Sequence, residues 1–147
     1  MSIISKDIQK AISILENEEL VAIPTETVYG LAGNIFSEKA IQSIFKTKQR
    51  PLFNPLIVHI SGLDQLNKIV DEIPEKAKLL AEKFWPGSMT LVLKKNKNIP
   101  DLITAGKDTV AVRIPNHNTT LELLSKLSFP LAAPSANPFN NISPTRS

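Results

Sequence analysis

Apolar positions recur along this chain in short blocks, and the period changes from block to block. Ile8, Ala11, Ile12 and Leu15 repeat at the helical period and predict a first helix, capped by Ser5. Leu20 to Ile23 is a short continuous apolar run, read as a buried strand that Pro24 stops. Ser37 caps a second helix with Ala40, Ile41, Ile44 and Phe45 inward, and Leu56 to Ile60 is a strand. Pro74 suits the first turn of a third helix carrying Ala77, Leu80, Ala81 and Phe84. Met89 to Leu93 and Val110 to Ile114 read as strands. Asn118 caps a helix containing Leu121 and Leu124, and Leu131 to Ala133 is a last short strand. Helices and strands interleave, which favours layers around a sheet over a bundle or a sandwich.

Composition narrows the class. A chain of 147 residues with 42% apolar and 21% charged positions is ordinary for one domain with a real core. Its apolar runs are far shorter than the ~20 residues a membrane helix needs. The absence of cysteine excludes a disulfide scaffold, a thiolate nucleophile and a Cys-ligated metal, and a cytoplasmic home is the simplest reading. The net charge of +3 is a mild excess, compatible with a solvated basic surface, an anionic ligand or RNA. Aromatics at 5% are too few for an obvious base-stacking platform.

Candidate chemistry gathers where the chain leaves a regular element. Thr25, Thr27 and Tyr29 alternate after the first strand. If extended geometry continues, their hydroxyls share one face. A ligand site and a strand-end turn with solvated threonines both meet that spacing. Lys48 continues the inward stripe of the second helix, where it either snorkels past the core edge or meets a ligand. Arg50 follows, held extended by Pro51, and a phosphate could accept from Arg50 and Asn54 together. His59 alternates with Val58 and Ile60, and both a structural and a ligand role fit one strand histidine. On the next strand Val110, Val112 and Ile114 face one way, and Thr109, Ala111 and Arg113 the other. Arg113 there needs an anionic partner, either a structural Asp or Glu or a ligand carboxylate. No second histidine has ligand spacing, so a protein-built metal site is not expected. With only five glycines, no phosphate-cradling loop and no dinucleotide fingerprint, any nucleotide is held mainly by side chains.

Taken in order, these residues resemble the YrdC-like family, the threonylcarbamoyl-adenylate synthases. Pro24 to Leu31 is similar to its P-T-[DE]-T-x-Y-G-L motif. Lys48 and Arg50 match its K-x-R, and Asn54 to His59 the stretch that follows. Phe84-Trp85-Pro86-Gly87 with Thr90 matches W-P-G-x-x-T, and Val112 to Pro115 and Ser135-Ala136-Asn137 match later motifs. The resemblance implies an α+β domain with α/β-like layers, the YrdC/RibB-like three-layer fold, with a twisted mixed sheet and a concave basic cavity. It implies that ATP, L-threonine and bicarbonate become L-threonylcarbamoyladenylate and pyrophosphate, feeding threonylcarbamoyladenosine modification of tRNA. A downstream threonylcarbamoyl-transferase complex would be a partner, with tRNA or double-stranded RNA a further one. By matching position, Thr27, Tyr29, His59, Arg113 and the backbone at Ala133 would contact threonine. Arg50, Asn54, Thr109, Ser135 and Ser143 would contact ATP, and Lys48, Arg50, Ser135 and Asn137 form the catalytic polar tetrad. Magnesium would ride mainly on the triphosphate.

The chain departs from the pattern after Asn137, where Pro138-Phe139-Asn140-Asn141 replaces a small Ser-Gly segment. Family members also continue through an S-T-[VI] strand and a nucleotide-site arginine. The expectation is that residues 1–147 form a YrdC-like domain lacking its C-terminal part.

Overall fold

A computed structural model of the chain describes residues 8–26, 29–48 and 55–134. In chain order, α1 (Ile8–Glu16) leads into the hairpin of β1 (Val21–Pro24) and β2 (Tyr29–Asn34). Then come α2 (Glu38–Lys48), β3 (Ile57–His59), α3 (Leu63–Leu66), α4 (Glu75–Phe84) and β4 (Leu91–Lys94). The last described elements are α5 (Asp101–Thr104), β5 (Thr109–Arg113), α6 (Asn118–Lys126) and β6 (Leu131–Ala132). The strands form a six-stranded sheet in the order β1-β2-β6-β3-β5-β4. β3 and β5 run parallel, and every other neighbouring pair is antiparallel.

Two apolar clusters sandwich this sheet, and alternation along the strands assigns residues to them. Leu31 and Ala132 point into a core shared with Ile41 and Ile44 of α2, Ala77 and Ala81 of α4, and Ile103 of α5. Their neighbours Ala32 and Leu131 point the other way, with Val21 and Ile23, under Leu15 of α1 and Leu123 and Leu124 of α6. The sheet is therefore the middle of three layers, except at β4, which is buried on one face only. Each fully buried Leu or Ile contributes about 1.5–3 kcal/mol.

Local signals account for most element ends. The Ser37 hydroxyl accepts from the Ala40 N–H at 3.0 Å and caps α2 as its sequence predicts. Pro24 does not stop β1: it is the last residue of that strand, opposite Tyr29. A proline is tolerated there because β1 lies at the sheet edge, where a missing N–H breaks no interior ladder. Thr25 and Tyr29 are consequently not on one extended run, because the chain reverses between them. β2 has no apolar signature of its own. Gly30 allows it to approach β6 closely: a Cβ there would lie 3.2 Å from that of Ala133. Asn118 is the first residue of α6 rather than its cap, which is His117 in extended backbone without a side-chain capping bond.

α4 also differs from expectation. Ala77 and Ala81 are buried, but Leu80 and Phe84 are 41% and 48% exposed. Two alanines one turn apart let the helix lie close on a narrow stripe, so the larger flanking side chains overhang it. The short helices α3 and α5 have too few residues to show a period and were not expected.

Candidate active site on the open half of the sheet

In-register partners on adjacent strands present side chains to the same face. His59 is opposite both Arg113 of β5 and Leu131 of β6, so all three share the face that α1 and α6 cover. Ile57 and Ala111 are likewise paired, and Val92 and Lys94 of β4 oppose Ala111 and Thr109. Across β1, β2 and β6 this face is closed by the two helices. Across β3, β5 and β4 it opens: Ile57, Thr109 and Ala111 are half-buried, and Val92 is 63% exposed. The expected partition of β5 holds, with Val110, Val112 and Ile114 buried in the opposite core.

Arg113 is the best-defined side chain here. It is 8% exposed, and its Nε donates to the Gly87 carbonyl at 3.2 Å. That carbonyl is set by the turn after α4, where the Gly87 N–H donates to the Ile114 carbonyl at 2.8 Å. Gly87 cannot carry a side chain in this turn, since a Cβ would meet the Phe84 carbonyl at 2.7 Å. The anionic partner expected of Arg113 is Glu26, 87 residues away in sequence. Both Glu26 oxygens accept from Nη2, one of them at 2.5 Å, and Oε1 also accepts the Asn116 N–H at 2.7 Å. Arg113 thus has a carboxylate partner within the protein, from a residue inside the Pro24–Leu31 motif. No local spacing could have paired them.

The electrostatics follow from these contacts. Burial pulls the Glu26 carboxyl upward, but the Asn116 N–H, the Arg113 charge and its hydrogen bond outweigh it. The net effect holds Glu26 below the ordinary carboxylate value. His59 is pushed down to about 4, first by burial and then by the Arg113 charge. It is neutral at pH 7. Its Nδ1 lies 3.3 Å from the Ile57 carbonyl, which only accepts, so the proton is assigned to Nδ1 and Nε2 is left as an acceptor.

The Ala133 N–H is committed to the Ile57 carbonyl at 3.2 Å. The Leu31 N–H donates to the Pro134 carbonyl at 2.8 Å, so Tyr29 enters β2 two residues from the segment that carries Ala133. The Thr120 hydroxyl donates to the Pro24 carbonyl and ties α6 to the same hairpin. Lys48 ends α2 and is 2% exposed, so it does not snorkel into solvent. Thr27, Arg50, Asn54, Ser135, Asn137 and Ser143 lie outside the described residues. Among the described residues no three His, Asp or Glu side chains converge as metal ligands.

An arginine, a neutral histidine and the Thr109 hydroxyl thus share one face of a mixed sheet in a three-layer α+β domain. The Sua5/YciO/YrdC family profile, described as telomere recombination, matches residues 13–147, and the chain belongs to that family. It is 50% identical over 138 residues to a threonylcarbamoyl-AMP synthase of Pyrococcus abyssi, covering 94% of this chain and 41% of the relative. It is 46% identical over 140 residues to the Bacillus subtilis threonylcarbamoyl-AMP synthase, covering 95% and 40%. A crystal structure of P. abyssi Sua5 complexed with L-threonine superposes with a TM-score of 0.92 at 47% identity, covering 97% of this chain and 44% of that one. The chain thus spans about two fifths of the length of these curated relatives.

Proposed function

We propose that this domain catalyses formation of L-threonylcarbamoyladenylate and pyrophosphate from ATP, L-threonine and bicarbonate, as the first step of a tRNA modification. The observation that carries the reading is Arg113 registered beside neutral His59 on the open half-sheet, in a chain with relatives named for this reaction. The guanidinium suits the amino-acid carboxylate. The His59 Nε2 acceptor suits the substrate's hydroxyl or ammonium donor. Tyr29, Thr27 and the Ala133 carbonyl complete the threonine pocket in this reading.

The nucleotide is then held by Arg50, Asn54, Thr109, Ser135 and Ser143, with Lys48 and Asn137 completing the polar tetrad. Thr109 shares a strand face with Arg113, four residues along β5 with Ala111 between them, so ATP would lie along β5 next to the amino acid. Any magnesium would ride mainly on the triphosphate, and no step is routed through it. The threonine amine adds to carbon dioxide derived from bicarbonate and loses a proton. A carbamate oxygen then attacks the α-phosphorus in line, and pyrophosphate leaves. The protein's part is positioning and charge stabilisation by the fixed cations. Downstream partners in this reading are a threonylcarbamoyl-transferase complex and tRNA.

The test is pyrophosphate release that requires ATP, threonine and bicarbonate together, with the adenylate identified by mass. Release independent of threonine, or none with all three present, overturns the reading.

A further inference from the structure

The Glu26–Arg113 pair sits where the proposed function needs an amino-acid carboxylate. Three geometric facts make the contact more than a surface ion pair. Arg113 has its Nε committed to Gly87, and both oxygens of Glu26 converge on the single nitrogen Nη2. The Glu26 side chain is 23% exposed against 10% for Arg113, so the carboxylate approaches from the open side. Glu26 also belongs to the turn joining β1 and β2, and its Oε1 pins that turn to the Asn116 N–H beyond the end of β5. A ligand carboxylate that grips the guanidinium with two oxygens needs Nη2, the nitrogen on which Glu26 converges.

We propose that Glu26 is a built-in competitor for the carboxylate subsite: it holds the Nη2 edge of Arg113, and an amino acid must take that edge from it to bind. The inference rests on the threonine reading above. Glu26 keeps the arginine fixed and its charge compensated when no substrate is present. Without it a nine-tenths-buried guanidinium would stand unpaired, an arrangement that costs several kcal/mol. Substrate entry then exchanges one carboxylate for another and releases the β1–β2 turn from Asn116. The apparent affinity for the amino acid is its intrinsic affinity reduced by the fraction of sites in which Glu26 holds the arginine. A residue that only positioned Arg113 for its ligand would act in the opposite direction.

The sign of one substitution separates these. Glu26→Gln keeps the shape and an acceptor for the Asn116 N–H but removes the charge that holds Nη2. Calorimetric titration with L-threonine is expected to show tighter binding by E26Q, by about threefold to tenfold. Titration with L-threonine amide, which lacks the carboxylate, should be little altered. In the unsubstituted protein, threonine and not its amide should shift the side-chain carboxylate carbon resonance of Glu26, a readout that does not depend on how the variant folds. Threonine bound equally or more weakly by E26Q, with the Glu26 resonance unmoved by threonine in the unsubstituted protein, overturns the competition and leaves the threonine reading standing. Binding of threonine by neither protein overturns the threonine reading itself and the competition with it.

Discussion

The two halves of one sheet face make an instructive contrast. Around β1, β2 and β6 the positions are Val21, Ile23, Ala32 and Leu131, and α1 and α6 lie directly on them. Around β3, β5 and β4 the same face carries His59, Thr109, Ala111, Arg113 and Lys94, and no described helix packs over Ala111 or Val92. The strands are continuous in hydrogen bonding across both halves, so the backbone does not distinguish them. Side-chain chemistry does. Alkyl groups are stabilised by a helical cover, whereas a guanidinium and an imidazole need polar partners and leave room for a ligand. Arg113 and Leu131 flank His59 on either side, so the boundary between core and site is one strand wide.

Substitutions on either side of that boundary should give different kinds of loss. The largest is expected in the covered half: Leu131→Ala should lower unfolding stability by about 2–5 kcal/mol in denaturant titration, because a closed layer cannot collapse onto the void. Arg113→Ala in the open half should cost stability through the unpaired Glu26 and, in addition, weaken threonine binding by about 2–4 kcal/mol, with ATP affinity changing much less. Equal losses for both ligands in calorimetry would remove Arg113 from the carboxylate subsite.

The boundary residue His59 predicts a pH dependence. Its folded value of about 4 lies below the ordinary 6.5, so the unfolded chain binds more protons between those limits. Stability is therefore full above about pH 6.5 and falls as pH drops towards 4, by up to about 3 kcal/mol. Glu26, also held below its usual 4.5, acts in the same direction, its contribution being lost further down the acid limb. Thermal melts of His59→Gln should lose the slope between pH 6.5 and 4 and keep the more acidic one. An unchanged slope would mean that the imidazole is not held neutral by its surroundings.

The smallest effect belongs to Val92, on the same sheet face as Leu131 but 63% exposed. Val92→Thr should change stability by less than about 0.5 kcal/mol. A larger loss would show that the open half is covered after all. Lys48 falls outside this gradient. At 2% exposure its substitution is expected to lower the melting temperature.

Much of the architecture was legible because periodicity is a local property. The α2 stripe of Ala40, Ile41, Ile44 and Phe45, the Ser37 cap, and the two faces of β5 follow from spacing alone and appear as read. β2 was not legible, since Tyr29–Asn34 contains two glycines and one large aliphatic residue. It is a strand because β1 and β6 flank it, and its glycines matter only for what approaches them. The outward turn of Leu80 and Phe84 was hidden for a related reason: helical period says which residues share a stripe, not how wide a stripe the sheet will cover.

The site divides in the same way. Sequence by itself determined that Arg113 would lie on a strand face with Thr109 and Ala111, and that it would require an anion, because alternation and the cost of an unpaired buried charge need no knowledge of the rest of the chain. It also determined that the chain's motifs, in their order, would mark the family. Only the tertiary structure decided that the anion paired with Arg113 is Glu26, that Gly87 supplies the third contact, and that His59 stands beside the arginine and is neutral. Those facts depend on which segments meet across a parallel strand pair and a distant hairpin turn. Burial and charge act through space, so no pattern along the chain encodes them.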